Sequence, residues 1–371
     1  MFDLLFLASA TASPCGVEMF ARCLFDAWLE MGAPGQILPL SESKMTSEKL
    51  PSTDVLVLNL PLVAWKKSLL LPLLVLLLAK LHGKPTLAIV HEWRDLAWPR
   101  RAVFSVYLLL IDMVMFSSPT VADQFSRRAL RLRSPLDAGI VPIPPNLERP
   151  AEIIDTSLSR HIVERAQGRI VIGQFGSIYP KKNSTLVLDV AAEMKRRGHD
   201  PLVVFAGSFI KGADHIEHTF NEKVRALGLE NDVIVSGYLD TAGEVFAVLN
   251  CMDAMVYEFD EGLSSRRSSV LTCLQSGRPV IVNAPSRLDE FAHHPVFAGT
   301  IAAEQLHFVP IRASIFDYAN AVEAMVGRRS QPTDLFLPAW RDAAQALAKG
   351  LKSALAGRHT KTHAASVMAT G

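Results

Sequence analysis

The sequence carries almost no net charge: 38 lysines and arginines stand against 37 aspartates and glutamates, a formal balance of +1. A nucleic-acid binder would show a basic excess or stripe, so that class is set aside. Cysteine is sparse. The four, Cys15, Cys23, Cys251 and Cys273, sit in apolar or helical settings without metal-like spacing, which excludes a disulfide scaffold and fits a reduced, cytoplasmic protein. Long apolar runs are missing too. The two greasiest segments, 68–81 and 103–116, are 14 residues each, short of the roughly 20 that cross a bilayer. The opening Met1-Phe2-Asp3-Leu4-Leu5-Phe6-Leu7 lacks the basic start and cleavage site of a signal peptide and reads as a first strand. No short-period repeat or long low-complexity block is present.

What is present is length and alternation. A chain of 371 residues exceeds one ordinary core, so two domains are expected. The first half alternates strand-like runs at 4–9, 55–60, 86–91, 112–117 and 139–143 with helical patterns at 17–31, 64–81 and 120–132, the mark of a parallel α/β sheet. A proline-rich exit, Pro142 to Pro150, ends the first domain, and the pattern restarts. Strands are expected at 170–175, 202–206, 233–236, 252–257 and 280–282, and helices at 184–197, 220–227, 242–250 and from Val270. The expected division is 1–150 for an N-terminal Rossmann-like domain and 151–335 for a C-terminal one. A helix over 336–357 would pack back toward the first domain, with a disordered tail at 358–371. The fold class is α/β: two Rossmann-like domains facing across a cleft at their strand C-termini.

The stretch Glu261-Gly262-Leu263-Ser264-Ser265-Arg266-Arg267-Ser268-Ser269 organises the second domain. It joins a buried strand to an apolar helix through small residues. The first N–H groups of a helix lack intrahelical partners and its dipole favours an anion, so such a junction is a ready phosphate site. Two arginines read into the first helical turn are the wrong charge for that end, a conflict an external phosphate would relieve. A capped helix with two solvated arginines is the plainer alternative.

In this order of elements, four places resemble the GT-B glycosyltransferases, in their retaining, nucleotide-sugar-dependent branch (family 4-like). They are Pro14-Cys15-Gly16-Val17-Glu18 after strand one, Phe175-Gly176-Ser177-Ile178-Tyr179-Pro180-Lys181-Lys182-Asn183, Gly228-Leu229 with 233–237, and the helix and turn over 271–279. The resemblance covers about residues 4–350. It departs from the family at the E-x7-E pair, whose positions hold Ser264 and Thr272. Cys15-Gly16, His91-Glu92 and Pro99-Arg100-Arg101 match a branch with D-G-x-S-x-R-R at the central site.

The resemblance implies a hexosyltransferase, probed at named positions, and would make 1–150 its acceptor domain and 151–335 its nucleotide-sugar domain. Lys182, with Arg266 or Arg267, would neutralise the leaving pyrophosphate beside Ser264 and Ser265. Gly16 would let backbone approach the donor. His91 would contact sugar or acceptor, Glu92 would orient the acceptor hydroxyl, and Glu261 would face sugar hydroxyls. Each of these has a plainer version: a surface lysine, a turn glycine, a loop hydrogen-bond network. No metal and no other cofactor is implied; the partners are the nucleotide-sugar donor and a glycan or lipid-linked acceptor, in polysaccharide or glycolipid biosynthesis. A transferase fold that has lost turnover and serves as a binding or scaffold subunit is the alternative. A dinucleotide oxidoreductase would need G-x-G-x-x-G after strand one, a spacing that Ser13-Pro14-Cys15-Gly16-Val17 lacks.

The segment 68–81 reads first as a buried helix with Leu70, Leu73, Leu74 and Leu77 as its core stripe. Its flanks, Trp65, Lys66, Lys67, Lys80 and Lys84, suit the other reading, a peripheral contact with the inner face of a membrane.

Overall fold

The computed structural model describes residues 1–9, 16–40, 52–61, 70–94, 96–128, 135–179, 182–210 and 214–368, with backbone alone for 128, 214 and 358–368. Pro14, Cys15, Trp65, Lys66, Lys67, Pro180 and Lys181 lie outside the described residues. The chain divides into two units, Met1–Ile143 with Leu337–Gly371, and Pro144–Phe336.

Unit 1 runs β1 (Leu4–Ser9), α1 (Gly16–Glu30), β2 (Gly35–Leu40), β3 (Val55–Leu60), α2 (Leu70–Leu81), β4 (Thr86–Val90), α3 (Trp98–Leu108), β5 (Met113–Phe116), α4 (Pro119–Arg128) and β6 (Leu136–Ile140). Its strands are parallel in the order β2-β1-β3-β4-β5-β6. Every residue of β1, β3 and β4 is buried, because a parallel sheet is covered on both faces and its strands become unbroken apolar runs. The order reverses between β1 and β3. The chain moves outward from each in opposite directions, which leaves a crevice at their C-terminal ends.

Unit 2 runs α5 (Ser157–Ala166), β7 (Val171–Phe175), α6 (Leu186–Arg196), β8 (Leu202–Ala206), α7 (Asp214–Ala226), β9 (Val233–Val235), α8 (Ala242–Asn250), β10 (Ala254–Tyr257), α9 (Ser268–Gln275), β11 (Val280–Asn283), α10 (Pro295–Ala302), β12 (Leu306–Val309) and α11 (Ile315–Met325). This sheet is also parallel, in the order β12-β11-β10-β7-β8-β9. Alternate residues of β7 enter opposite apolar layers: Ile172 joins the α6 layer, while Val171 and Phe175 join the α9 layer. The reversal therefore falls between β7 and β10, with α6 and α9 on opposite faces.

Helix α12 (Phe336–Met368) closes the chain. It runs through the segment read as a disordered tail and ends only at Met368; its alanines and lysines favour helix. Where the helix crosses the unit 1 sheet, Gly350 is required, since a Cβ there would lie 2.4 Å from the Ala138 carbonyl oxygen.

Three other expectations change. The 103–116 run is not one segment: it closes α3, turns at 109–112 and supplies β5. The strand expected at 139–143 ends at Ile140, ahead of Pro142. Finally, the core stripe of α2 is Pro72, Val75, Leu76 and Ala79. Leu70, Leu74 and Leu77 point outward, with Leu70 and Leu81 72% and 82% exposed. The apolar surplus exceeds what one face against the sheet can cover. Lys80 turns to the protein, with Nζ 2.5 Å from the Asp112 carboxylate.

Candidate active site

In unit 2 the loops after β7 and β10 meet at the reversal of strand order, where α/β sheets bind ligands. Strand β7 delivers Phe175 and Gly176. Gly176 has a φ of +102°, and its amide donates to the Ala206 carbonyl at 3.0 Å. The loop then runs beside the one after β8, Ile178 bridging Phe209. Contact between the loops is backbone to backbone: a Cβ on Gly207 would lie 2.3 Å from the Gly176 oxygen.

Lys182 folds back under this loop. It is 3% exposed, and its Nζ donates to the Phe175 carbonyl at 2.6 Å. The ammonium also lies 5.0 Å from the centroid of the Tyr257 ring. Tyr257 stacks on Phe259 with centroids 5.8 Å apart, and the Arg267 guanidinium sits 4.3 Å over Phe259. Two cations thus ride on two stacked rings, each contact worth roughly 0.5–2 kcal/mol. Among the described residues neither has a carboxylate partner. The buried Nε of Arg267 has no hydrogen-bond partner there, and its Nη1 reaches the Tyr179 hydroxyl only at 3.4 Å.

Burial pushes the Lys182 ammonium down to about 7; the Cys273 side resists the shift and the Arg267 charge adds to it. Burial also pushes the Cys273 thiol up to about 12 and the Tyr257 hydroxyl well above its ordinary value. Tyr257 Oη donates to the Phe175 carbonyl at 2.9 Å and lies 3.2 Å from Cys273 Sγ. A buried ammonium beside a half-buried guanidinium, with no carboxylate partner among the described residues, is costly unless an anion completes the pair.

The β10–α9 loop is held by residues from elsewhere. Asn283 accepts the Phe259 amide at 3.0 Å and donates to its carbonyl at 2.8 Å. Gly262, at φ +74°, packs against Ala284. Helix α9 begins at Ser268, so Arg266 and Arg267 precede it rather than form its first turn, and Arg267 occupies the N-cap position without a side-chain cap bond. Both still lie at the positive end of the helix, where an anion is favoured. The predicted phosphate-site serines differ. Ser264 has a buried hydroxyl with no partner among the described residues. Ser265 gives both its N–H and its hydroxyl to Glu290, at 2.9 and 3.0 Å. Glu261 is half-buried just ahead of Gly262. Glu258 accepts from the Asn183 amide, which ties the two loops together. Thr272, which the resemblance sets at the second position of the E-x7-E pair, is fully buried, and its hydroxyl donates to Asn146 at 2.9 Å.

Unit 1 gathers the other candidates at its own crevice. His91 follows β4, buried, with Nε2 2.9 Å from Asn59 Oδ1 on the neighbouring β3. An amide oxygen only accepts, so this pairing calls for the Nε2–H tautomer. Phe20 of α1 meets the imidazole edge-on at 4.7 Å and is backed by Trp340 of α12 at 5.4 Å. Glu92 is half-buried beside it. Gly16 opens α1, exposed, and a Cβ there would meet no described atom within 4 Å.

Tyr257, Phe259, Asn283 and Glu290 were not singled out from the sequence. The aromatic spacing Tyr257-Glu258-Phe259 ahead of the arginines is the signal that could have found the first two.

These two parallel, doubly covered sheets are the Rossmann-like pair of the GT-B fold. No family model and no curated protein matches the chain. Solved structures do, at low identity and nearly full length. HepE of Anabaena in complex with UDP has a TM-score of 0.58 and 14% identity, over 96% of this chain and 100% of that one. A glycosyltransferase from Rickettsia africae gives 0.59 and 12%, over 95% and 97%. Sucrose-phosphate synthase from Thermosynechococcus elongatus gives 0.59 and 14%, over 98% and 100%. At these identities the likeness establishes the fold.

Proposed function

We propose that this protein is a glycosyltransferase that moves a hexose from a nucleoside-diphosphate sugar to a glycan or lipid-linked acceptor, with retention at the anomeric carbon. One observation carries the reading: Lys182 and Arg267 converge at the switch point of the unit 2 sheet without a carboxylate partner among the described residues. That arrangement suits a pyrophosphate. Departure of a nucleoside diphosphate builds negative charge on its oxygens, and fixed cations in a buried setting lower the barrier most. The orphan Ser264 hydroxyl adds a donor, and Arg266 lies next along the chain. The fold neighbour HepE, solved with UDP and with UDP-glucose, supports this donor class.

In this reading His91, Glu92 and Glu261 serve the sugar or the acceptor, Gly16 leaves room for the donor, and no metal is needed because the two cations supply the charge. The test is mass-spectrometric screening of a nucleotide-sugar panel for transfer or hydrolysis, with and without a chelator. One or more donors should turn over, chelation should change little, and His91→Ala should lower kcat more than donor affinity. Equal losses in binding and rate would remove His91 from the reacting centre.

Binding without turnover across the panel would favour the second reading, a scaffold subunit. The observation behind it is Thr272, buried and committed to Asn146 where the resemblance would place a glutamate.

Peripheral membrane contact belongs to the same proposal. No described helix is long and apolar enough to cross a bilayer. The outward leucines of α2 lie in the same unit as Trp98, 76% exposed at the start of α3, with Arg94, Arg100 and Arg101 nearby in the chain. Apolar and aromatic groups with basic neighbours suit an anionic lipid surface. The native protein should float with anionic vesicles at low salt, and a variant carrying Leu70→Glu, Leu74→Glu and Leu77→Glu should stay at the bottom. Native protein that does not float ends the membrane reading.

A further inference from the structure

Resting on the nucleotide-sugar reading, we infer that Glu290 is the positioning residue of the anion site: it fixes the turn that presents Arg266 and Arg267 by accepting both donors of Ser265. The carboxylate is 1% exposed. It comes from the segment between β11 and α10, 25 residues beyond the turn it holds. One oxygen, Oε1, takes the Ser265 N–H at 2.9 Å and the Ser265 hydroxyl at 3.0 Å. Two residues further on stands Arg267, whose own amide returns to the Ser264 carbonyl at 3.2 Å. The anchored serine and the cation over Phe259 therefore belong to one short turn.

Simple electrostatics would keep a buried negative charge away from a site built for an anion, because it opposes binding. Its place here is accounted for by geometry. The start of the loop is pinned by Asn283, and Glu290 pins its end. Unit 1 repeats the device at its own switch point. There Glu18, also 1% exposed, accepts the Ser9 N–H with both oxygens at 3.2 Å, and Arg22 bridges Glu18 to the Ser9 carbonyl. In both units a buried glutamate holds a serine amide at the crevice: Ser9 at the end of β1 and Ser265 in the loop after β10.

The position and the charge make opposite forecasts, which makes the idea testable. Glu290→Gln removes the charge but keeps an acceptor at the same reach. Glu290→Asp keeps the charge but withdraws it by one methylene. If Glu290 positions the turn, titration with UDP-glucose should show the Gln variant binding as well as the native protein or better. The Asp and Ala variants should bind roughly ten- to a hundredfold more weakly, the size expected for losing hydrogen bonds to a buried charged group. Amide exchange without ligand gives an independent readout: Ser265 should be protected in the native protein and the Gln variant and exposed to exchange in the Asp variant. Should Ala fail to fold, the Gln and Asp pair decides. Binding that strengthens in Asp or Ala, or that falls equally in Gln, overturns the inference. Native protein that binds no UDP-glucose while Ser265 keeps this exchange pattern overturns the nucleotide reading instead and leaves Glu290 in its role.

Discussion

Alanine in place of Lys182 should weaken UDP-glucose binding by more than tenfold while the fold survives, because a charge-assisted hydrogen bond is worth about 1.5–3 kcal/mol. The native affinity should also depend on pH in a way that only this lysine explains. Burial with the Arg267 charge holds its ammonium at about 7, down from 10.5. Binding a pyrophosphate requires the charged form, so above pH 7 each binding event must take up a proton. Affinity should therefore fall as pH rises from 7 to 9, by up to tenfold per unit, a limit set by one proton. The groups facing the amine do not imitate this. Burial holds the Cys273 thiol up at about 12 and the Tyr257 hydroxyl well above its ordinary value, and a guanidinium does not titrate in this range. A nucleotide-sugar is the right probe, since a terminal phosphate would add its own step near pH 6. Lys182→Arg should bind with no such slope. Stability has the opposite sign. Between pH 7 and 10.5 the unfolded chain holds the proton that the folded lysine has released, so stability should rise with pH across that window. Calorimetry in buffers of different ionisation enthalpy reads the proton uptake directly. A flat affinity from pH 7 to 9 would mean that Lys182 does not meet the anion.

Why Lys182 was legible and its setting was not follows from where each signal lies. The strand runs of β1, β3, β4, β7 and β8 are continuous and apolar, and parallel strands covered on both faces must be so. The glycine loop with its lysine follows β7 directly, so position along the chain gave both. Strand β2 was missed because an edge strand need not be uniformly apolar; it carries Gln36 and Pro39 and is half-exposed. Helix α3 was hidden because its last turn and β5 share one greasy run with no glycine or proline between them. The outward face of α2 was misassigned because leucines fill both of its faces, and periodicity then cannot tell core from surface. The candidate site could be outlined from the sequence only in its local parts. Asn283 and Glu290 act on a loop 24 and 25 residues earlier, and nothing in their own neighbourhood announces it. Arg266 and Arg267 could be named as a pair, but only the Phe259 ring distinguishes the one that packs beside Lys182.

Two glycines singled out from the sequence should respond differently to alanine. Gly262 turns at φ +74°, and a Cβ there would stand 2.0 Å from the Ala284 carbonyl oxygen and 3.0 Å from its carbon. The neighbour is backbone of the chain leaving β11, which cannot rotate aside as a side chain could. Left-handed backbone costs an L-residue about 1–2 kcal/mol, and forced overpacking adds about 1–3 kcal/mol. Together these are a large part of the roughly 5–15 kcal/mol that keeps a domain folded. Unit 2 carrying Gly262→Ala should therefore melt about 5–15 °C lower, at roughly 2–4 °C per kcal/mol for a domain of this size. The Arg266–Arg267 turn, four residues on, should lose anion binding with it. Gly16 is the contrast: no described atom lies within 4 Å of its would-be Cβ. Gly16→Ala should leave the thermal midpoint of unit 1 unchanged, so any loss it causes in UDP-glucose affinity reports space that the donor itself needs. Differential scanning calorimetry with a binding titration on each variant separates the two effects. A midpoint for Gly262→Ala within a degree of native would show that the loop can step away from Ala284, and the argument for its fixed shape would fall.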